Sequence, residues 1–196
     1  MMRGLALLSV LMPFAAHAAT ADITVRDAAG QPLTDAVVTL ETTNKPAAPI
    51  RFPWPMVMAQ QNIAFVPHVL IVPVGATVAF PNRDLVRHHI YSFSKAKKFN
   101  IKLYGHDETR SEVFDKPGVV ALGCNIHDTM SGFIIVVDTP YAAKTDAQGH
   151  VHLTDVPDGK AVATIWSPSL RVPGNQLSQA VTIAGANYAT TLTARR

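Results

Sequence analysis

Short β-forming runs punctuated by turn residues constrain this chain more than any other feature. Val, Ile, Thr, Phe and Tyr cluster or alternate in "DITVRD", "AVVTLE", "HVLIVPV", "ATVAFPN", "HIYSFS", "NIKLY", "VVALGC", "FIIVVD", "HVHLTD", "AVATIW", "AVTIAG" and "YATTLTA". Turn residues separate these runs at intervals of roughly ten, the rhythm of a β-sandwich. Helical periodicity is almost absent, and many of the 14 prolines flank the runs, where they suit strand edges and oppose helices. The sequence predicts an all-β protein.

The first residues are expected to lie outside that fold. "MMRGLALLSVLMPFAAHAAT" carries one charge, Arg3, then an apolar stretch from Leu5 to Ala16 and the small-residue pattern Ala16-His17-Ala18. This is the make-up of a secretory signal peptide over residues 1–18, cleaved before Ala19. No segment approaches the ~20 uninterrupted apolar residues of a membrane-spanning helix. The mature protein is expected to be exported, to the periplasm in a Gram-negative cell.

Charge and motifs exclude several functions. There are 17 Lys and Arg against 14 Asp and Glu, with no basic helix or aromatic-interleaved Arg cluster, so nucleic acid is not the expected partner. Lys95, Lys97, Lys98 and Lys102 read as a solvated hairpin face, with a docking patch for an acidic partner the alternative. No haem-attachment C-x-x-C-H, nucleophile elbow G-x-S-x-G or zinc-binding H-E-x-x-H occurs, so neither c-type haem nor a hydrolase is expected.

Two textures alternate along the chain. Residues 25–41, "VRDAAGQPLTDAVVTLE", and 143–166, "AKTDAQGHVHLTDVPDGKAVATIW", carry D-x-x-G-x-P-L and T-D-x-x-G-x-V-x-L-x-D-V-P-x-G. These motifs resemble the carboxypeptidase-regulatory-like, or transthyretin-like, small β-sandwich. In that family they sit close together; here residues 42–142 intervene. The resemblance implies a discontinuous sandwich, residues 19–43 and 140–196, with a second domain inserted at 44–139. The proline-rich "TTNKPAAPIRFPWP" reads as an extended connector along the surface.

The inserted region holds the chemistry. "GCNIHDTMSGFIIVVD" contains the single cysteine of the chain, Cys124, in the pattern C-x2-H-x2-M with His127 and Met130. An exported protein with one cysteine calls for an explanation beyond a disulfide. A thiolate, imidazoles and a thioether are the ligand set of a redox-active copper ion. The loop supplies ligands from one side only, so a second imidazole must come from elsewhere. "VAFPNRDLVRHHIYSFS" offers two, His88 and His89, on opposite faces of one strand. His88 shares its face with Ile90 and Ser92; His89 shares its face with Tyr91 and Phe93, the more core-like set.

Here a resemblance becomes plain. Asn82, Arg83 and Asp84 followed by His88 are similar to the first ligand segment of cupredoxins, the type-1 copper proteins of the plastocyanin and amicyanin kind. C-x2-H-x2-M-x-G-x-I-x-V is similar to their short, amicyanin-type ligand loop. "HVLIVPVGATVAFPN", with Gly75 at its turn, resembles the strand pair leading to the ligand strand. The likeness covers residues 57–138. It implies a Greek-key cupredoxin sandwich beside the small β-sandwich, with His88, Cys124 and His127 as equatorial ligands and Met130 as axial ligand of one copper ion. Register from Asn82 favours His88, with His89 the alternative.

The chain also departs from that family. His89 stands where cupredoxins often carry an Asn that clamps the ligand loops together. Arg87 and Asp128 stand where prolines are usual, and Asp128 is a further candidate ligand. His68 and His106 read as structural or solvated. His150 and His152, an i,i+2 pair on one strand face, could by geometry hold a metal, but with no third ligand nearby in sequence they read as an exposed face.

Such chains are often labelled methylamine-utilisation proteins, after the amicyanin resemblance. The function it implies is periplasmic one-electron transfer, with a redox protein such as a c-type cytochrome or a periplasmic dehydrogenase as partner. The alternative is a periplasmic copper carrier or tolerance protein binding Cu(I) through the same loop. A catalytic copper site, should Met130 not bind, and a metal-free sandwich complete the range.

Overall fold

The structure, a computed structural model, describes residues 18–43 and 49–194; the expected leader lies outside them except for Ala18. Among the described residues sixteen strands follow one another: β1 (Ala18–Asp27), β2 (Val37–Thr42), β3 (Ala59–Gln60), β4 (Phe65–Val66), β5 (Val69–Pro73), β6 (Ala76–Pro81), β7 (His88–Phe93) and β8 (Lys98–Tyr104). They continue with β9 (Thr109–Phe114), β10 (Gly118–Cys124), β11 (Ser131–Val137), β12 (Ala142–Lys144), β13 (His150–Pro157), β14 (Gly159–Trp166), β15 (Gln176–Ile183) and β16 (Asn187–Ala194). Among the described residues there is no α-helix, only a 3-10 turn at Pro173–Asn175, and no helix long and apolar enough to cross a membrane.

These strands build two sandwiches. The first and last strands form sheets ordered β13-β1-β16 and β12-β2-β14-β15. Between the two sheets, Ala21, Ile23, Val25, Leu40, Ala163, Ile165 and Leu192 share one core. The strict alternation of β1, with Ala19, Ala21, Ile23 and Val25 inward, follows from the two-residue period of a strand. Thr145 ties this core to the chain: its hydroxyl donates to the Leu33 carbonyl at 2.7 Å and accepts the Ala36 N–H at 3.0 Å.

The middle strands form the second sandwich. One layer is the sheet β5-β11-β10-β7-β8, with β11 parallel to β5 and the other neighbours antiparallel. The facing layer joins the β6-β9 pair to the β3-β4 pair through bridges between Val57 and Ala79 and between Gln60 and Asn82. Val78, Phe80, Phe114, Val120, Ile90 and Ile134 fill the space between the layers.

β5 and β11 are apolar without alternation, because both of their faces are covered. Leu70, Val72, Ile134 and Val136 point into the second sandwich. Val69, Ile71, Ile135 and Val137 point the other way and pack with Val37, Ala142 and Trp166 of the first. In the described part of the connector Pro49, Arg51, Pro53 and Pro55 are exposed, while Phe52 and Trp54 between them are half-buried against this junction. Phe52 and Trp54 stack at 4.8 Å and pack against the junction, and Trp54 Nε1–H donates to the Ile71 carbonyl at 2.8 Å.

Candidate metal centre

Cys124 ends β10, and period-two alternation turns Val120, Leu122 and Cys124 toward the same core. His88 opens β7 and faces that core, wholly buried. Pairing of Cys124 with Ile90 sets the thiol beside the start of β7. The chain then turns through residues 125–130, where the Met130 N–H donates to the His127 carbonyl at 2.9 Å. This tight turn sends His127 back toward Cys124 and buries Met130 to 2% exposure in the core that holds the cysteine.

Nδ1 of His88 lies 3.8 Å from Cys124 Sγ, and Nδ1 of His127 lies 3.7 Å from it. The two imidazole rings are 5.1 Å apart, centre to centre. The three ligand atoms lie within 4.8 Å of one another, and this is the one such group of three among the described residues. Asp128 is outside it.

The spacing fits a metal. Bonds of about 2.3 Å to sulfur and about 2.0 Å to nitrogen separate the two atoms by about 3.7 Å at a trigonal angle, against about 3.5 Å at a tetrahedral one. A thiolate and two imidazoles near one plane are the soft-to-borderline donor set that suits copper. The cluster can hold one copper ion, and binding there would keep the thiol deprotonated.

Asp84 sets the orientation of His88. Its Oδ2 accepts the Nε2–H of His88 at 2.9 Å and the Ile63 N–H at 2.9 Å, while Oδ1 accepts the Asn62 N–H at 2.6 Å. A carboxylate fixed by backbone donors holds the His88 proton on Nε2 and leaves Nδ1 as a lone pair aimed at Cys124. Burial alone would raise the Asp84 carboxyl, but the bonds from Ile63, His88 and Asn62 outweigh it and hold it below its ordinary value. Asn82, buried at 1% exposure, shapes this loop from within. Its amide donates to the Val86 carbonyl at 2.8 Å and the Tyr104 carbonyl at 3.3 Å, and its oxygen accepts the Asp84 N–H at 2.9 Å.

His89 points away from the cluster. Its Nε2 is bonded to Asn100 Oδ1 on the neighbouring strand. The face it shares with Tyr91 and Phe93 is the outer one: Phe93 is 79% exposed, and the buried residues are His88, Ile90 and Ser92. The core-like reading of that aromatic pair is therefore reversed. The two rings pack on each other at 5.1 Å, and Tyr91 lies across Gly123, where an added Cβ would come within 2.7 Å of its ring.

The absent Asn clamp has a backbone substitute. The Asn125 N–H donates to the His89 carbonyl at 3.1 Å, which joins the two ligand segments whatever side chain stands at 89. Arg87 is exposed and helps hold the Glu108 carboxyl below its usual range, an effect led by the Gly105 N–H and the Arg110 guanidinium.

Behind His88 stands Tyr104, its partner in the β7-β8 register. The phenol bonds Gln60 and donates to the Phe80 carbonyl at 3.0 Å, and burial pushes its ionisation well above the usual range. The roles of Asp84, Asn82 and His106 were not legible as such in the sequence. His106 Nδ1 is 3.1 Å from the Asp84 carbonyl. His68 is exposed and meets Phe133 edge-on at 5.5 Å. Lys95, Lys98 and Lys102 are exposed, while Lys97 pairs with Glu112 at 3.2 Å.

No protein-family model matches the chain, and no curated protein matches it in sequence. Several solved structures are similar to part of it. One is a copper-containing nitrite reductase from Thermus scotoductus: 30% identity, TM-score 0.41, covering 48% of this chain and 25% of that one. This chain thus spans about a quarter of the reductase's length. Another is a purple cupredoxin from Nitrosopumilus maritimus, 27% identical with a TM-score of 0.37, covering 41% of this chain and 96% of that one. A reduced mutant of amicyanin is 20% identical with a TM-score of 0.40, covering 51% of this chain and 98% of the amicyanin.

Proposed function

We propose that the chain is a periplasmic, mononuclear type-1 copper protein that carries single electrons between redox partners. The observation that supports this most is the Cys124 sulfur flanked by two imidazole Nδ1 atoms at 3.7 and 3.8 Å, with both histidines held on that side of the thiol. His88, Cys124 and His127 would hold the ion in a trigonal plane, and Met130 would stand as the axial ligand. Copper, when bound, supplies a one-electron couple.

The chain's own residues would do the rest. Asp84 fixes the His88 tautomer, the two β layers fix Cys124 and His88, and the buried Met130 excludes water. A site that cannot relax between oxidation states lowers the reorganisation that electron transfer requires. His127 is half-buried, so its ring edge is the route between the thiolate and the surface. Ile126, next to His127 in the chain, and Leu85 and Val86, which precede His88, are exposed apolar side chains, suited to a transient protein partner. A c-type cytochrome or a periplasmic dehydrogenase fits that description. Four protein ligands leave no position for a substrate, so we read the protein as a carrier and not an enzyme.

The Cu(I)-carrier reading uses the same Cys-His-Met loop; His89 and Asp128, which could add ligands to it, lie outside the cluster. Voltammetry separates the two. An electron carrier gives a reversible one-electron wave and keeps its copper in both oxidation states. Loss of Cu(I) to a modest chelator on reduction, with no reversible wave, would favour the carrier.

A further inference from the structure

A second set of nitrogen ligands stands on the other sandwich. His150 and His152 are two positions apart on β13, so both leave its solvent-facing side, and both are exposed. The antiparallel register with β1 places Asp22 opposite His152 and Thr24 opposite His150. Asp22 Oδ1 lies 2.7 Å from Nδ1 of His152. Asp146 Oδ2 lies 3.8 Å from Nδ1 of His150. These four side chains line one depression of the surface together with Thr24.

The partners decide which nitrogens are available. An ionised carboxylate only accepts, so Asp22 draws the His152 proton to Nδ1 and leaves Nε2 as a lone pair. Asp146 is itself anchored: its Oδ1 accepts the N–H of Gln148 at 2.9 Å and of His150 at 2.8 Å. The His150 N–H, foremost, holds that carboxyl below its usual range. The Asp22 carboxylate behind His152 is the arrangement that orients metal-binding histidines, and Asp146 sets a negative charge 3.8 Å from the His150 ring.

We propose that His150 and His152 form a second, surface metal site for a borderline divalent ion, with copper(II) the tightest of the first-row series. Their Nε2 atoms are the ligands, Asp22 orients the His152 ring, Asp146 adds negative charge beside His150, and water fills the remaining positions. The site holds no thiolate, so it is weakly coloured and tetragonal, and it does not depend on the cluster at Cys124.

The test is a copper(II) chloride titration of the mature protein followed by EPR and by bound-metal stoichiometry. Wild type takes up one more equivalent than the His150→Ala/His152→Ala double variant. That equivalent gives a tetragonal, nitrogen-ligated signal without an intense visible band. Asp22→Asn weakens it about tenfold. All these side chains are exposed, and circular dichroism checks that the variants stay folded. An equal stoichiometry in wild type and double variant, or a second signal that survives the double substitution, overturns the proposal. Whether the first equivalent is blue does not affect this readout.

Discussion

Asp84→Asn keeps the shape of the side chain and removes its charge. In the native loop Oδ2 accepts two hydrogen bonds, from His88 Nε2–H and the Ile63 N–H, and Oδ1 accepts one from the Asn62 N–H. Asn has one oxygen, so its best orientation keeps that oxygen toward His88 and Ile63 and turns its NH2 against the Asn62 N–H. The His88 ring then loses its charged partner and becomes a weaker donor at Nδ1. Losing such an outer partner typically costs 10–100-fold in metal affinity, about 1.4–2.7 kcal/mol. Chelator competition on wild type and variant measures it directly. The same substitution has an acid signature in the metal-free protein. The native carboxyl is held below its ordinary value of 3.8. Its contribution to stability is therefore complete above that value and is lost as pH falls through the lower native one. The wild-type melting temperature should fall more steeply than the variant's below about pH 4. An affinity change under about threefold, with parallel acid melting curves, would refute a role for Asp84 in holding His88.

Three further outcomes follow from the packing. His88→Ala should abolish the thiolate-to-copper absorption band, while His89→Ala keeps it, because the His89 ring is bonded to Asn100 away from the cluster; the reverse would transfer the ligand role to His89. Gly132→Ala places a Cβ 2.8 Å from the Cβ of buried Phe65, so urea unfolding should show a loss of about 1–3 kcal/mol. Thr145→Val leaves the Leu33 carbonyl and the Ala36 N–H without their buried partner. It should cost about 1–3 kcal/mol, with Thr145→Ser recovering most of the loss.

Strand content was legible because period two is a local property: β1 could be read as half-buried from its own ten residues. The C-x2-H-x2-M loop was legible for the same reason, since three donors lie on one turn. The face of β7 was not. Tyr91 and Phe93 look like core residues in isolation. Which side of a strand is covered depends on its neighbours, however, and the layer carrying Phe80 and Phe114 covers the side of Ile90. Asp84 could be matched to a motif but not given a task. Its donors, Asn62 and Ile63, come from a turn that places both at positive φ, 56° and 54°, far upstream. Asp22 and His152 are 130 residues apart and meet only through the β1-β13 register. Such long-range pairings leave no local trace.

The central claim is that Cys124 is a metal-bound thiolate between His88 and His127. Titration of the purified protein with copper(II), followed by visible absorption and EPR beside a Cys124→Ser variant, tests it most directly. The account predicts an intense thiolate-to-copper band that saturates at one equivalent and vanishes in Cys124→Ser. A colourless protein, or a band that survives the loss of the sulfur, would contradict it.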